Sequence, residues 1–360
     1  MGIFSFGRSK NAIGLDIGSS YIKVLELAES KSGRWSLVNF GMKKLPPEAI
    51  VDGALMNSNI IVDSIRELIS SHKIRTKDVV TSVSGHSVII KKINLPVMTT
   101  EELEESIQWE AEQYIPFDIN DVNIDVQILD PVGDETGQME VLLVAAKKDM
   151  INDYVAIVQE AGLNPVVMDV DSFAIENAFE VNYDSSPDDT MVLVNIGASI
   201  ININVLRGGM TAFTRDITLG GNQYTEEIQK QLNVSYEEAE ALKIGGDIVR
   251  DSQAVVPEEV EGIIRAVSEN VATEIQRSLD FYAATSTEDE ISRIFLSGGS
   301  ARIPGLTRTI QEKTGLPVEL VNAFLQIDIN EKDFNTAFLN EVAPMAAVAV
   351  GLAMRRSGDK

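Results

Sequence analysis

An α/β fold built twice, with two domains facing each other across a cleft, is what this sequence predicts, and three observations carry the prediction. The first is an internal repeat. "IGLDIGSSYIKVL" (Ile13–Leu25) and "VLVNIGASIININ" (Val192–Asn204) share an apolar lead-in, Asp or Asn, Ile, Gly, a small residue, Ser and an alternating strand. Asp16 aligns with Asn195, Gly18 with Gly197 and Ser20 with Ser199, at an offset of 179 in a chain of 360 residues. A period that long marks a duplicated domain, because solenoid repeats run roughly 20–50 residues. The second is the alternation of strand-like and helix-like segments along the chain. The third is a hydrophobic content of 44% over a length too great for one simple core.

The elements follow in order. "MGIFSFGRSK" is too short an apolar stretch for a secretory signal and reads as a frayed terminus, although Ile3, Phe4 and Phe6 beside Arg8 and Lys10 could touch a membrane surface. Ser58–His72 places Ile61, Ile65, Leu68 and Ile69 at helical spacing. "DVVTSVSG" and "SVIIKKINLP" read as strands. "TTEELEESIQWEAEQY" opens with a Thr cap and acids in its first turn, a helix signature, and Pro116 is expected to stop it. Strands "DVNIDVQIL" and "MEVLLVAAKK" flank "DPVGDETGQ". "MINDYVAIVQEAGL" is a helix closed by Gly162, "NPVVMDV" a strand and "SFAIENAFEV" a helix. Asp184–Asp189, two serines and a proline set among acids, is the expected boundary, dividing residues 1–184 from 185–360. Beyond the second turn come "DITLGGNQYTEEIQKQL" (strand, Gly-Gly turn, helix), a capped helix "SYEEAEALKIG", a long helix over 257–286, and a strand ending in Gly298–Gly299. "APMAAVAVGLAM" is the longest apolar run; a membrane helix needs ~20 apolar residues, so a buried helix is expected.

Composition excludes several classes. A net charge of −25 and a pI near 4.4 disfavour nucleic acid and favour basic protein tails. With no cysteine there are no disulfides, thiolate metal sites or cysteine nucleophiles. His72 and His86 have no second ligand at metal spacing and read as structural or solvent-facing.

The two repeated turns carry the chemistry. Backbone N–H groups in a tight Gly-containing turn converge on one point and favour an oxyanion. Gly18 lets a phosphate approach the backbone, Ser19 and Ser20 can donate to its oxygens, and Asp16 at the strand end can hold Mg²⁺ through water, since Mg²⁺ dehydrates reluctantly. An ordinary polar hairpin is the plain alternative for one such turn; the second at the matching position argues against it. A Gly-Gly turn after a buried strand, "LSGGSARIPG", lets a flat ring or a sugar lie against backbone. P-loop and dinucleotide fingerprints are absent.

The order "LDIGSSYIK", "LVNIGASI", "LSGGSARIPG" resembles the actin, hexokinase and heat-shock chaperone superfamily of ATP-binding proteins. With "LPVMTTEELEESIQWEAEQYIPF" and "DITLGGNQYTEEI", essentially the whole chain resembles the PilM family of actin-like type IV pilus assembly proteins, related to the division protein FtsA. The resemblance implies an actin-like fold with an extra subdomain over about 82–165. It implies that ATP and Mg²⁺ are bound by Asp16, Gly18, Ser19, Ser20 and Lys23 in the first phosphate turn, by Asn195, Gly197, Ala198 and Ser199 in the second, and by Gly298, Gly299 and Ser300 in the adenosine turn. Gly220 and Gly221, with Glu240 and Lys243 near sugar and base, complete the set; as residues alone, Glu240 and Lys243 read equally as a surface ion pair. Mg²⁺ would be held by Asp16 and Asn195, through water. Asn195 stands where the superfamily has Asp, and Glu176 with Asn177 where it often has a water-orienting Gln. Glu176 is thus the candidate base, and hydrolysis is expected to be slow or absent. The partner implied is the cytoplasmic amino-terminal peptide of the membrane protein PilN, in a groove lined by Tyr114, Pro116 and Phe117, with other platform or motor proteins beyond it. Membrane association would then run through the partner, leaving the protein cytoplasmic and peripheral at the inner membrane. The rivals are a small-molecule kinase, for which no substrate pattern is visible, and an FtsA-like filament, whose amphipathic carboxyl-terminal helix has no counterpart in "MRRSGDK".

Overall fold

The computed structural model describes residues 12–129, 137–245, 258–286 and 290–356, and the structural statements below concern those residues. The amino-terminal Ile3–Lys10 stretch and the final "SGDK" lie outside them. The first half opens with β1 (Ile13–Ile17), β2 (Tyr21–Glu29) and β3 (Trp35–Lys44), then a short hairpin of β4 (Ile50–Val51) and β5 (Ala54–Leu55), then α1 (Ser58–Ser71) and β6 (Asp78–Val83). β7 (Val88–Pro96), α2 (Thr100–Ala111), β8 (Val122–Ile128) and β9 (Gln138–Lys147) form a small unit, after which α3 (Lys148–Glu160), β10 (Asn164–Val170) and α4 (Asp171–Asn182) return to the main body. The second half contains β11 (Thr190–Ile196), β12 (Ile201–Arg207), β13 (Met210–Ile217), α5 (Gly221–Leu232), α6 (Tyr236–Lys243), α7 (Glu258–Thr285), β14 (Ile291–Ser297), α8 (Leu306–Thr314), β15 (Val318–Leu320), α9 (Thr336–Val342) and α10 (Ala347–Met354).

The duplication read from one motif extends to the whole sheet. One sheet has the order β3-β2-β1-β6-β10 and the other β13-β12-β11-β14-β15. In each, the first three strands are antiparallel neighbours and the next two join in parallel. The register repeats as well, with Asp16 opposite Lys23 and Asn195 opposite Asn202. All five residues of β1 and all seven of β11 are buried, as central strands covered on both faces must be.

Helix signals behave as their chemistry dictates. Thr99 and Ser235 both close capping boxes, with Glu102 and Glu238 answering their backbone N–H groups. α2 ends at Ala111, well short of Pro116, so a turn rather than the proline ends it; the Tyr114 and Ile115 N–H groups both donate to the Ala111 carbonyl. The small antiparallel sheet, β7-β9-β8, is covered on one face by α2 through Leu103, Ile107 and Ala111. It spans Val88–Lys147; the expected segment 82–165 also takes in α3 and the end of β6, which pack in the first half.

The apolar run near the carboxyl end is a 3-10 turn, Ala343–Ala346, leading into α10. By length and composition Thr336–Met354 could cross a membrane, yet 67% of its apolar window is buried inside the protein. α10 leaves the second half, packing on β1, β2, β6 and α4, and a cluster including Ala174, Phe179, Phe295, Ala346 and Val350 joins the two halves. Where α4 and α10 cross there is no room for a methyl group: a Cβ on Gly351 would lie 1.6 Å from the Ala174 carbonyl oxygen.

Candidate functional site

The first turn is closed by the Gly18 N–H donating to the Tyr21 carbonyl, 3.1 Å, and the second by the Gly197 N–H donating to the Ile200 carbonyl, 2.9 Å. These are the same bond at the same place in the repeat. Between the turns lies a cleft of about 880 Å³, lined by Ser19 and Ser20 on one wall and by Ala198, Ser199, Gly220, Asn222 and Gln223 on the other. The remaining residues of the set sit around it in layers. Gly197 O accepts from the Gly221 N–H at 3.0 Å and from the Ser300 hydroxyl at 2.8 Å, and Ala198 O accepts from the Asn222 N–H at 2.8 Å. The start of α5 and the third turn are thereby stitched to the second turn. Gly298, at φ 90°, would put a Cβ 2.3 Å from the Ile196 carbonyl oxygen, so this turn admits only glycine. Gly299 packs beside Met345.

Glu240 and Lys243 are a buried pair, not a surface one, with side chains 13% and 9% exposed. The Lys243 ammonium also donates to the Gly221 carbonyl at 3.2 Å and to the Thr225 hydroxyl at 2.9 Å. Burial lowers its pKa, and the Glu240 charge opposes that. Tyr21 of the first half and Tyr236 of α6 both lie near Glu240; burial first, and that charge second, raise both phenols, Tyr236 to about 12.

The aspartate and the asparagine at the two strand ends play different parts. Asp16 is buried and accepts from the Lys23 ammonium at 2.6 Å, across the β1–β2 pair. Its counterpart Asn195 donates to the Asn202 side-chain oxygen at 2.9 Å and accepts from the Ser297 hydroxyl at 3.3 Å. Asn202 in turn donates to Asp216 at 2.8 Å. Lys23 and Asn202 occupy the same register, so the same cross-strand pair is ionic in the first half and neutral in the second. This gives a physical reason for Asn at 195: its amide row already ends on one carboxylate, Asp216. Asn195→Asp is therefore expected to destabilise the protein by about 1–3 kcal/mol, because Asn202 has one amide N–H₂ to share between two acids. Denaturant unfolding tests this, and an unchanged midpoint would show that the row rearranges freely.

The Glu176 carboxylate accepts from Asn204 at 3.1 Å and from the Thr211 hydroxyl at 2.5 Å, bridging α4 to β12 and β13; like Asp16 and Asn195, it is not among the residues lining the cleft. The acid in the first turn of α4 is Asp171, which is half-buried and, like Asp16, is not among the residues lining the cleft. Asp171 accepts from the Ser82 hydroxyl at 2.6 Å. Desolvation, then the Asp16 charge, push its carboxyl up to about 6, against the Ser82 and Ser84 hydroxyls, with Asp216 adding to the rise. Its signal in the sequence was an acid directly following the strand β10. Asp169, the last residue but one of β10 as Asp16 is of β1, matches Asp16 more closely, but its carboxylate lies 3.0 Å from Arg355.

The charge of Asp16 raises the Asp171 carboxyl, and a cation arriving near both would relieve that repulsion. Among the described residues no group of three or more His, Asp or Glu side chains stands close enough to hold a metal directly. An ion here would keep water ligands and depend on a bound anion, as Mg²⁺ commonly does.

Tyr114, Pro116 and Phe117 lie in the small unit, apart from this cleft. Tyr114 and Phe117 are half-buried against the small sheet, and the Lys147 ammonium sits 4.4 Å from the Phe117 ring centre. Pro116 is exposed. The most exposed aromatic of the same segment is Trp109, at 77%, which its sequence context did not single out.

Comparison with known proteins is consistent with this architecture. The family model described as type IV pilus assembly protein PilM matches residues 14–357. A solved "PilM-PilN type IV pilus biogenesis complex" contains a chain 30% identical to this one, with a TM-score of 0.86, covering 96% of this chain and 98% of that one. An ethanolamine utilization protein EutJ from Carboxydothermus hydrogenoformans shares the fold at 15% identity, TM-score 0.58, over 95% of this chain and 89% of that one. The cell division protein FtsA of Streptococcus pneumoniae serotype 2 (strain D39 / NCTC 7466) is 23% identical over 344 residues, 85% of this chain and 74% of that protein. The two like-ordered sheets are thus an actin-like fold, and the chain belongs to the PilM family of type IV pilus assembly proteins.

Proposed function

We propose that this protein is an ATP-binding scaffold of the pilus assembly platform, which couples the nucleotide state of its cleft to docking of the cytoplasmic amino-terminal peptide of PilN. The observation that carries the nucleotide part is the pair of matched turns, with Ser19 and Ser20 facing Ala198 and Ser199 across one cleft. When bound, Mg²⁺-ATP would supply a polyphosphate for these donors and a cation for Asp16. Asp171, whose carboxyl is raised to about 6 by desolvation and the Asp16 charge, is the group suited to accept a proton from a water reaching it; Glu176, engaged by Asn204 and Thr211, is a strut between the halves. The division near residue 184 makes each half one wall of the cleft, and the segment of about 82–165, which contains the small unit, carries the docking surface. The location that follows is the cytoplasmic face of the inner membrane, reached through PilN, with further platform or motor proteins as neighbours.

Two sites that couple do so reciprocally, typically by roughly 5–150-fold. Titration calorimetry of a synthetic PilN tail peptide, with and without Mg²⁺-ATP, is expected to show a change of that size. Absence of ATP binding would remove the nucleotide reading, and equal peptide affinity in both conditions would remove the coupling. Phe117→Ala should weaken the peptide by about 2 kcal/mol or more if Phe117 anchors it. Because Phe117 also packs on the small sheet, a melting curve accompanies the isotherm. Unchanged affinity in a folded variant would place the docking surface elsewhere.

A further inference from the structure

The amide row described above does not end within the second half. Ser297, Asn195, Asn202 and Asp216 lie side by side across β14, β11, β12 and β13, each opposite the next in register. Every step is hydrogen-bonded in one sense, from the Ser297 hydroxyl to Asn195, from Asn195 to Asn202 and from Asn202 to Asp216. The free end of the row crosses to the other half. The second oxygen of Asp216 accepts from the Gly85 backbone N–H at 2.6 Å. Gly85 lies in the loop between β6 and β7, at the root of the small sheet.

A second contact runs beside the first. Gly85 sits at φ 91°, and a Cβ there would be 2.9 Å from Ile200 Cδ1. Ile200 belongs to the second turn, whose closing bond it accepts. β13 also packs directly on β7. The loop that starts the small sheet is therefore held at once by the second turn and by the row beneath it. Asp216 is half-buried, and its carboxyl is raised by desolvation against the Asn202 and Gly85 donors.

We propose that Asp216 is the positioning residue through which occupancy of the second turn is passed to the small sheet. This rests on the reading of the cleft as a nucleotide site coupled to peptide docking. Asp216 touches neither ligand; it acts through Gly85. Movement of Ile200 or of Asn195, when the cleft fills or empties, shifts the anchor of β7 and with it the small sheet. The row also has a symmetry that supplies a control. Asp216→Asn can keep it intact: its oxygen accepts from Gly85, and Asn202 and Asn195 turn their amides over, so that the last N–H₂ donates to the Ser297 hydroxyl oxygen. Asp216→Ala cannot, and leaves the buried Gly85 N–H and the Asn202 N–H₂ without acceptors.

The test measures three quantities in the full chain: Mg²⁺-ATP affinity alone, PilN tail peptide affinity alone, and the factor by which one changes the other. Asp216→Ala is expected to leave each separate affinity within about threefold and to bring the coupling factor to near one, while Asp216→Asn retains the wild-type factor. Hydrogen exchange over residues 84–90 gives a direct reading of the Gly85 contact. In the wild type its protection is expected to change when Mg²⁺-ATP binds; in Asp216→Ala it is low throughout. A wild-type coupling factor retained in a folded Asp216→Ala variant overturns the assignment. So does unchanged exchange at 84–90 in wild-type protein that demonstrably binds ATP. Failure of the wild type to bind ATP, by contrast, would sink the cleft reading itself. Should Asp216→Ala fail to fold, Gly85→Ala keeps the N–H but displaces the same contact from the other half, through a Cβ 2.9 Å from Ile200 Cδ1 at a φ of 91°, and the same outcomes apply.

Discussion

At neutral pH, Asp171→Asn is expected to make the unliganded protein more stable and its cleft less able to hold Mg²⁺-nucleotide. The carboxyl is raised from 3.8 to about 6 by burial and by Asp16. Between those values the folded protein keeps a proton that the unfolded chain has released. Stability therefore falls as pH rises from about 4 to about 6, and the full penalty stands at higher pH. A shift of about two units corresponds to about 3 kcal/mol. The amide removes the charge but accepts less well from the Ser82 and Ser84 hydroxyls, so a net gain of about 1–3 kcal/mol is expected above pH 6, vanishing below pH 4. Denaturant titrations across that range check both the size and the pH dependence. The same variant should lose Mg²⁺-dependent ATP affinity and any turnover, a trade of function against stability common at such sites. A pH-independent stability difference, or wild-type Mg²⁺ dependence, would remove Asp171 from the cleft chemistry.

Gly351→Ala is expected to be the most damaging added methyl group among the described glycines. Overpacking costs about 1–3 kcal/mol where side chains can give way, and more where they cannot. Here the obstacle is the Ala174 carbonyl, a backbone atom of α4, and the added Cβ would fall 1.6 Å from it. Relief requires the two crossing helices to part, so a loss of about 3 kcal/mol or more is expected. Because α4 begins at Asp171, parting the helices also moves the acid proposed to act at the cleft. The variant should therefore show a lowered denaturation midpoint together with weaker ATP binding. A normal midpoint would mean the helices have slack that their packing does not show.

Much of this architecture was legible because repeated local chemistry leaves repeated local signals. A Gly-containing reversal between an apolar strand and an alternating one needs particular residues at particular steps, and that need is met twice, in Asp16–Ser20 and Asn195–Ser199. The capping boxes at Thr99 and Ser235, and the apolar run ending at Met354, are likewise short-range patterns. Spacing therefore determined the duplication, most element types and the residues of both turns. It could not determine what each acid at the end of β10 meets. Asp169 and Asp171 lie two apart, yet one meets Arg355 and the other meets Ser82 at the end of β6. Glu176 has the right residue type on the right helix, but Asn204 and Thr211 take up its carboxylate and make it a strut. Nor could spacing show that Asn195 is neutral because Asn202, rather than a lysine, stands opposite, or that the row continues through Asp216 to Gly85. Those partners are 7, 21 and 110 residues from Asn195 along the chain. Only strand register and the docking of the two halves bring them together, and a side chain's charge, burial and proton are set by such neighbours rather than by its place in the sequence.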